Sequence, residues 1–487
     1  MKIELVEPGH ELVIGTIGMG KSFWVIWKII QSFHYNRPCC YIDPKGDTYQ
    51  ALLSYFVSAE GRPLWRAFRH KIILLNPVTK SDFLVGFNAI EPVEEMAHVH
   101  ADLVALVANA LTSHIRRQSG FDLNEANRMQ NIMAAAVASL VEGGKGNLTL
   151  AELPLLFVPT YRKDDGRSVN ETFNPFVRLL LQRIKHHGAN SFWRDQWATW
   201  PPNVRREWVQ STEGRIFQYL FNEMAMLTTC TVLNRRLNFR DLIDRGYWLF
   251  VNLPYQLLTD STTTMLGNLL ISRIFHACMQ RQPNSPPYRL ILDEARFFNS
   301  GPLDVILETS RAYNLWMTLI MQSLDQMARS REGHSDYHLR QTALNNSRYV
   351  VAFKNNNPED LELLAGLMFP VTGMVEIGTR KSGDAERLAV QAEIEEHHRR
   401  ISYLQKRQVI VFDTQNPAAQ LFETPEVRIQ NVGGDLVNQF EAHHLSRIGV
   451  PVAQIRQEVS NRQEKIRQLL EGSQARTVPP ADVGGQL

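Results

Sequence analysis

Cysteine is scarce: Cys39, Cys40, Cys230 and Cys278 are the only four in 487 residues. Cys39 and Cys40 are adjacent and cannot readily pair with each other, and the other two stand isolated. Neither a disulfide framework nor a zinc-ligand spacing emerges, which fits a reducing compartment. Long apolar runs are missing too. No stretch of about 18 consecutive apolar residues occurs, so nothing in the sequence reads as a membrane span. The N-terminus is expected to enter the first strand within about ten residues, which leaves no room for a secretory leader. Together these features give the expectation of a cytoplasmic protein. Charge of one sign is also lacking. A net charge of +2 points to no class of partner, although a basic channel can hide inside such a balance. No fixed-period repeat is present, which excludes a solenoid or a propeller. His98-His100 and His397-His398 have no completing Cys or acidic set at ligand spacing, so no metal site of that kind is expected.

What is present is the composition of a soluble globular chain, 44% hydrophobic and 21% charged. Its length exceeds one ordinary core, so two or three domains are expected. Short apolar runs recur at Val13-Ile14, Cys40 to Ile42, Ile72 to Leu75, Trp248 to Asn252, Leu290 to Leu292, Met317 to Met321, Tyr349 to Phe353 and Val409 to Phe412. Most have no alternating polar face, as strands covered by helices on both sides require. Helical segments separate them, which gives an α/β core with a largely parallel sheet. Between Asn88 and Arg240 the texture turns helical, as in "VEEMAHVHADLVALVANALTSHI" and "LNEANRMQNIMAAAVASLVEGG". The predicted organisation is a discontinuous nucleotide-binding domain over 1–90 and 241–428 and an all-α insertion over 91–240. Residues 429–487 follow as a C-terminal amphipathic helix, which either binds a partner or packs on the core, and a tail read as disordered.

One stretch carries chemistry outright. Gly15-Thr16-Ile17-Gly18-Met19-Gly20-Lys21-Ser22 lies between the apolar run Leu12-Val13-Ile14 and a helix-period face of Phe23, Ile26, Trp27, Ile30 and Phe33. The order G-x-x-x-x-G-K-S at a strand-to-helix turn is the Walker A pattern. Glycines free backbone N–H groups to cradle phosphates, Lys21 reaches the β and γ groups, and Ser22 binds Mg²⁺.

A Walker A loop alone does not separate a kinase from a motor. "YRLILDEARFF" supplies the discriminator, because Asp293-Glu294 end a strand where open α/β sheets bind ligands. On this reading Asp293 completes the Mg²⁺ shell and Glu294 polarises a water for attack on the γ-phosphate. ATP and Mg²⁺ are thus the expected cofactors, and hydrolysis is favoured over transfer to a small acceptor. "CCYIDPKGD" ends a further strand with Asp43 and Lys45, placed beside the phosphate loop. "ILETSRAYNLWMTLIMQ" runs from a helix carrying Arg311 into a strand ending at Gln322, and Gly86-Phe87-Asn88 forms a turn.

In this order the motifs resemble the coupling-protein ATPases of type IV secretion and conjugation, within the HerA/FtsK class of P-loop motors. The matching features are Walker A, the "DPKGD" of Asp43 to Asp47, and the "GFNP" turn with Ala89 in place of proline. They continue through the "LDE" of Leu292 to Glu294 and the E-x-x-R helix of Glu308 to Arg311 to the strand-end Gln322. The resemblance spans about 1–420. It implies a RecA-like core with an all-α domain and a homohexamer with nucleotide at subunit boundaries. Arg311 is then an arginine finger offered to the neighbour, its bland alternative being a helix-face pair with Glu308. Gln322 becomes a γ-phosphate sensor, the alternative being a polar strand terminus. Cofactor contacts fall on residues 15–22 and Asp43, metal contacts on Ser22 and Asp293.

The implied partner is DNA, moved in conjugative or mobilisation transfer. Membrane-bound members begin with transmembrane helices, whereas this sequence begins at the motor. A membrane-anchored secretion or relaxosome partner, or a soluble branch of the family, is therefore implied. The basic groups Arg116-Arg117, Lys185-His186-His187, Arg205-Arg206 and Arg235-Arg236 are candidates to hold DNA phosphates, each by itself reading as solvated helix surface. Alternative functions are a HerA-like translocase in DNA processing or defence, an ATPase powering protein secretion, and an assembly factor using ATP as a switch.

Overall fold

A computed structural model describes residues 8–92, 104–105, 107–109, 123–164, 167–282, 284–299, 303–331, 334–372, 390–429 and 432–475. The chain divides into two compact units. The first comprises Met1–Ile73, Arg240–Asn252 and Ala277–Val437, and the second Leu74–Phe239, Leu253–His276 and Asn438–Leu487. These boundaries differ from those read in the sequence: residues 74–90, Leu253–His276 and the residues from Asn438 onward join the helical unit.

The first unit is built on a nine-stranded sheet. In chain order its strands are β1 (His10–Ile14), β2 (Cys39–Asp43), β3 (Ile72–Leu75), β4 (Trp248–Asn252), β5 (Tyr288–Leu292), β6 (Leu315–Met321), β7 (Ser347–Ala352), β8 (Gln408–Asp413) and β9 (Asn416–Glu423). Their order across the sheet is β9-β8-β7-β1-β6-β5-β2-β4-β3. The pairings β7-β1, β1-β6, β6-β5, β5-β2 and β2-β4 are parallel, while β7-β8 and β8-β9 are antiparallel. Every residue of β1, β2, β4 and β6 is buried, which is why these strands read as unbroken apolar runs. The antiparallel edge strand β9 escaped the sequence reading. "NPAAQLFE" carries Pro417, tolerated only at a sheet edge, and Leu421 on it is exposed.

Helix α1 (Lys21–His34) leaves the end of β1 and lays Trp24, Val25, Ile29 and Phe33 against the core. Phe33 stacks on Trp248 of β4 with centroids 4.5 Å apart. A buried ion pair fastens the same helix to the sheet: Lys28 Nζ lies 2.5 Å from Glu11 Oε2 of β1, and Thr318 of β6 donates to that oxygen at 2.8 Å.

The second unit is mainly helical, with α2 (Leu123–Gly144), α3 (Gly434–Ile448) and α4 (Val452–Ala475) as long members. It also contains an antiparallel hairpin, Tyr161–Asp164 with Arg167–Asn170, which helix periodicity gave no reason to expect. The aromatics of "SFWRDQWATW" are core. Trp193 is fully buried and donates to Ser139 Oγ at 2.8 Å, and Trp197 donates to the Thr172 carbonyl at 3.0 Å.

The Gly86-Phe87-Asn88 turn is a packing junction in this unit. A Cβ on Gly86 would meet Thr231 Cγ2 at 2.7 Å, while Asn88 donates to the Leu148 carbonyl at 3.0 Å. The C-terminal helix α4 packs inside the second unit. Ile455, Val459, Ile466 and Leu470 are buried, and Arg462 bonds Glu152, Thr149 Oγ1 and the Cys230 carbonyl. The tail read as disordered, from residue 476 on, lies outside the described residues. Among the described residues no helix is long and apolar enough to cross a membrane.

Candidate nucleotide site

Strand order assembles the site. Parallel strands β1, β6, β5 and β2 are consecutive neighbours, so their C-terminal ends share one edge. That edge presents Gly15 after β1, Gln322 after β6, Asp293-Glu294 after β5 and Asp43 at the end of β2. Motifs scattered across some three hundred residues of sequence thus become adjacent in four strands. Because β6 lies between β1 and β5, Gln322 stands between the phosphate loop and the acidic pair.

The loop has the backbone of an anion nest. Gly18 and Gly20 have φ of 83° and 110°, left-handed values that suit glycine, and Gly20 caps the N-terminus of the 14-residue α1. Gly15 is fixed for another reason, since a Cβ there would lie 2.4 Å from Phe353 Cβ. The Gly15 and Thr16 amides bond the Met321 and Lys354 carbonyls at 3.3 and 2.9 Å, anchoring the loop to the strands on either side. Arg407, itself at φ 72°, donates its amide to the Met19 carbonyl at 2.9 Å. Ile17, Gly18 and Ser22 remain exposed, with Gly18 facing open space. Lys21 Nζ bonds the Thr16 carbonyl at 2.9 Å as well as the Gly15 carbonyl. Burial lowers its ammonium to about 8, against the opposing pull of Glu294 and Asp293 and with Lys45 adding to the drop. The lysine is therefore within electrostatic reach of both carboxylates.

On the acidic side, Asp293 is buried and accepts from Tyr41 Oη at 3.0 Å and from the Glu294 amide at 2.9 Å. Asp43 accepts from the Tyr49 and Lys45 amides at 2.8 and 2.9 Å. Burial raises both carboxyls, and for Asp293 the charge of Asp43 adds to it. Two buried carboxylates held this way suit a divalent cation, whose charge would offset the cost of ionising both. Asp293 and the exposed Ser22 are the groups that would hold Mg²⁺, with the Asp43 carboxylate near enough for its charge to act on Asp293.

Glu294 has the left-handed backbone φ 41°, ψ 52°, a strained conformation of the kind found at functional positions. One carboxylate oxygen, Oε1, takes an ion pair from Lys45 and a 2.8 Å bond from Gln322 Nε2. The other, Oε2, is buried and accepts no hydrogen bond, with Arg296 Nε at 3.5 Å. Burial by itself would raise the Glu294 carboxyl. The bonds from Lys45 and Gln322 and the charges of Lys45 and Arg296 outweigh it and hold the group below its ordinary value.

Sequence reading had placed Lys45 beside the loop without a role, and had missed Tyr41, Arg296, Lys354 and Arg407. The "DPKGD" string flagged Lys45, whereas no local pattern marks the other four. Arg311 is not brought to the site. It is exposed in the turn before β6, at the opposite end of a seven-residue strand from Gln322. That separation is about 20 Å at ~3.3 Å per residue. Its charge instead bears on His10, at the start of β1. Arg311 makes no ion pair with Glu308, which accepts from Thr342 and lies 3.7 Å from His338.

Of the basic groups in the helical segment, Arg205 bonds the Trp200 and Thr172 carbonyls and Arg236 pairs with Glu91, both structural uses. Lys185, His187, Arg206 and Arg235 are exposed, and Arg116-Arg117 lie outside the described residues.

A family model described as "Type IV secretory system Conjugative DNA transfer" matches residues 213–413. No curated protein matches the chain. Among solved structures, the unbound monoclinic form of the bacterial conjugative coupling protein TrwBdeltaN70 aligns with TM-score 0.57 and 16% identity, over 86% of this chain and 85% of that one. The plasmid coupling protein TrwB in complex with ADP and Mg²⁺ gives TM-score 0.56 and 17% identity, over 87% of this chain and 86% of that one. With the non-hydrolysable GTP analogue GDPNP, TrwB gives 0.57 and 16%, over 86% of each chain. At these identities the structural likeness speaks for the fold, and the family match for the stretch holding Asp293-Glu294, Arg311 and Gln322. Fold, motif order and family match agree that the chain resembles the coupling ATPases of type IV secretion and conjugation.

Proposed function

We propose that the protein is a MgATP-hydrolysing DNA translocase of the coupling type, acting in conjugative or mobilisation transfer. The observation that carries this reading is the shared sheet edge, where an anion nest, a cation-suited carboxylate pair and an ionised glutamate meet with Gln322 between them. In this role the amides of residues 15–20 and Lys21 bind the β- and γ-phosphates, and Ser22 and Asp293 hold Mg²⁺, which neutralises phosphate charge. Glu294 takes the proton of the attacking water through Oε2. Gln322, bonded to Glu294, links occupancy by the γ-phosphate to the orientation of that carboxylate. The match to the conjugative DNA transfer family and the TrwB complexes with GDPNP and with ADP and Mg²⁺ support nucleotide, Mg²⁺ and DNA as ligands.

Arg311 belongs in this scheme only as a residue delivered to a neighbouring subunit, because its own loop lies at the other end of the sheet. A homohexamer with nucleotide at the boundaries meets that requirement, with the unit built on the nine-stranded sheet as motor and the helical unit as the cargo-facing domain. The protein would work in the cytoplasm, meeting the inner membrane through a secretion partner. Phosphate release from MgATP by the purified protein, with and without DNA, tests the proposal. Wild type should accelerate on DNA, and Glu294→Gln should lose about 10²–10⁴-fold in turnover while still binding MgATP. Turnover indifferent to DNA but raised by a purified secretion substrate would replace DNA by protein cargo.

A further inference from the structure

We infer that Lys45 is the positioning residue for the attacking water: with Gln322 it pins one oxygen of Glu294 and leaves the other to accept that water. The inference rests on the hydrolase reading and deepens it.

The backbone around Lys45 is fixed from both sides. Its amide donates to Asp43 Oδ1 at 2.9 Å, and Gly46 next to it takes φ 85°, closing the turn into the helix Asp47–Val57. The side chain crosses from this turn to Glu294, in the turn after β5 and 249 residues away in sequence. Lys45 is a third exposed, while the Glu294 side chain is only 4% exposed. The ammonium therefore sits at the mouth of the site, over a carboxylate that solvent barely reaches.

Around Glu294 stand Lys45, Gln322, Arg296, Lys21 and the adjoining Asp293. Two donors converge on Oε1, whereas Oε2 accepts no hydrogen bond and has only the Arg296 guanidinium within ion-pair range, at 3.5 Å. A free carboxylate would rotate its two oxygens through equivalent positions. Here the rotation is stopped, and the unbonded oxygen keeps one orientation. In the reaction the water oxygen forms a bond to the γ-phosphorus and the bond from that phosphorus to the β,γ-bridging oxygen breaks. The water proton passes to Oε2, and ADP leaves with the bridging electron pair. Without Lys45 the same base is present but unaimed, so binding of MgATP is spared while the chemical step slows.

Steady-state phosphate release by the full chain, with equilibrium binding of a fluorescent non-hydrolysable ATP analogue plus Mg²⁺, separates these effects. Lys45→Met and Lys45→Gln should each lower kcat at least about tenfold, with KM and analogue affinity within about threefold of wild type. Lys45→Arg, which restores a donor of like charge, should recover most of kcat. Two neutral variants guard against one of them misfolding. Unchanged kcat in a folded neutral variant overturns the inference, as does affinity falling in step with kcat, which would make Lys45 a phosphate ligand. If wild type turns over and Glu294→Gln does not, yet Lys45→Met is fully active, this inference fails and the hydrolase reading stands. If wild type releases no phosphate under any condition, both fall.

Discussion

Replacing Lys28 by methionine should unsettle the helix that carries the phosphate loop. Lys28 lies two turns beyond Lys21 on α1, and its ammonium meets Glu11 of the central strand β1 at 2.5 Å, with side-chain exposures of 5% and 0%. Removing one partner of such a pair strands the other charge in the core, a cost of about 3–5 kcal/mol. Glu11 keeps two further supports, the Thr318 hydroxyl at 2.8 Å and Arg289 at 4.0 Å, so the low end applies, about 3 kcal/mol. For a cooperative unit of this size that corresponds to a fall in Tm of about 6–12 °C. Scanning calorimetry of wild type and Lys28→Met at pH 7 measures it.

Charge, not shape, is the claimed cause, so the double variant Glu11→Leu/Lys28→Met should regain most of the loss. The pH response follows from Glu11, whose carboxyl is held below its ordinary value in the wild type: burial would raise it, but Lys28 and Arg289 more than compensate. A depressed carboxyl contributes stability above its unfolded pKa and loses it as pH falls. The gap between wild type and Lys28→Met should therefore narrow from pH 7 toward pH 4. A Lys28→Met protein melting within about 1 °C of wild type would refute the reasoning, as would a double variant whose losses simply add.

Acid should also weaken the fold through His10. Burial, reinforced by Arg289 and then Arg311, lowers this imidazole to about 4. Since an unfolded histidine protonates near 6.5, stability is full above about pH 6.5 and falls toward pH 4, by up to about 3 kcal/mol. His10→Asn, which can still accept from the Met317 amide, should flatten that part of a denaturant-midpoint-against-pH curve. Gly15→Ala drives a Cβ to 2.4 Å from Phe353 Cβ and 3.2 Å from its Cα, so the loop must shift. We expect a loss of about 2 kcal/mol in thermal stability, with MgATP affinity down at least about tenfold in equilibrium titration. Arg311→Ala should abolish turnover yet spare nucleotide binding. Mixing it with Lys21→Ala subunits should restore part of the activity, and a mixture that stays dead removes Arg311 from the neighbouring site.

Local chemistry made much of this protein legible. Gly15 to Ser22 can be read without any structure because cradling a phosphate demands free amides, left-handed residues and a lysine within eight consecutive positions. The strands at Trp248 to Asn252 and Met317 to Met321 were equally plain, since burial on both faces leaves an unbroken apolar run. The edge strand Asn416–Glu423 was not, because a strand at a sheet edge with a proline in it resembles a loop, nor were the short paired strands Tyr161–Asp164 and Arg167–Asn170, set in a stretch whose texture is helical. Which residues surround Glu294 was decided only by the order of strands across the sheet. Insertion of Leu315–Met321 between the loop strand and the acidic strand sets Gln322 between them, and the Cys39–Asp43 neighbour brings Lys45 across. Sequence determines the functional groups that short-range geometry requires. Tertiary structure decides which distant groups share a carboxylate, because strand pairing is fixed by the summed burial of the whole sheet and no local pattern encodes it.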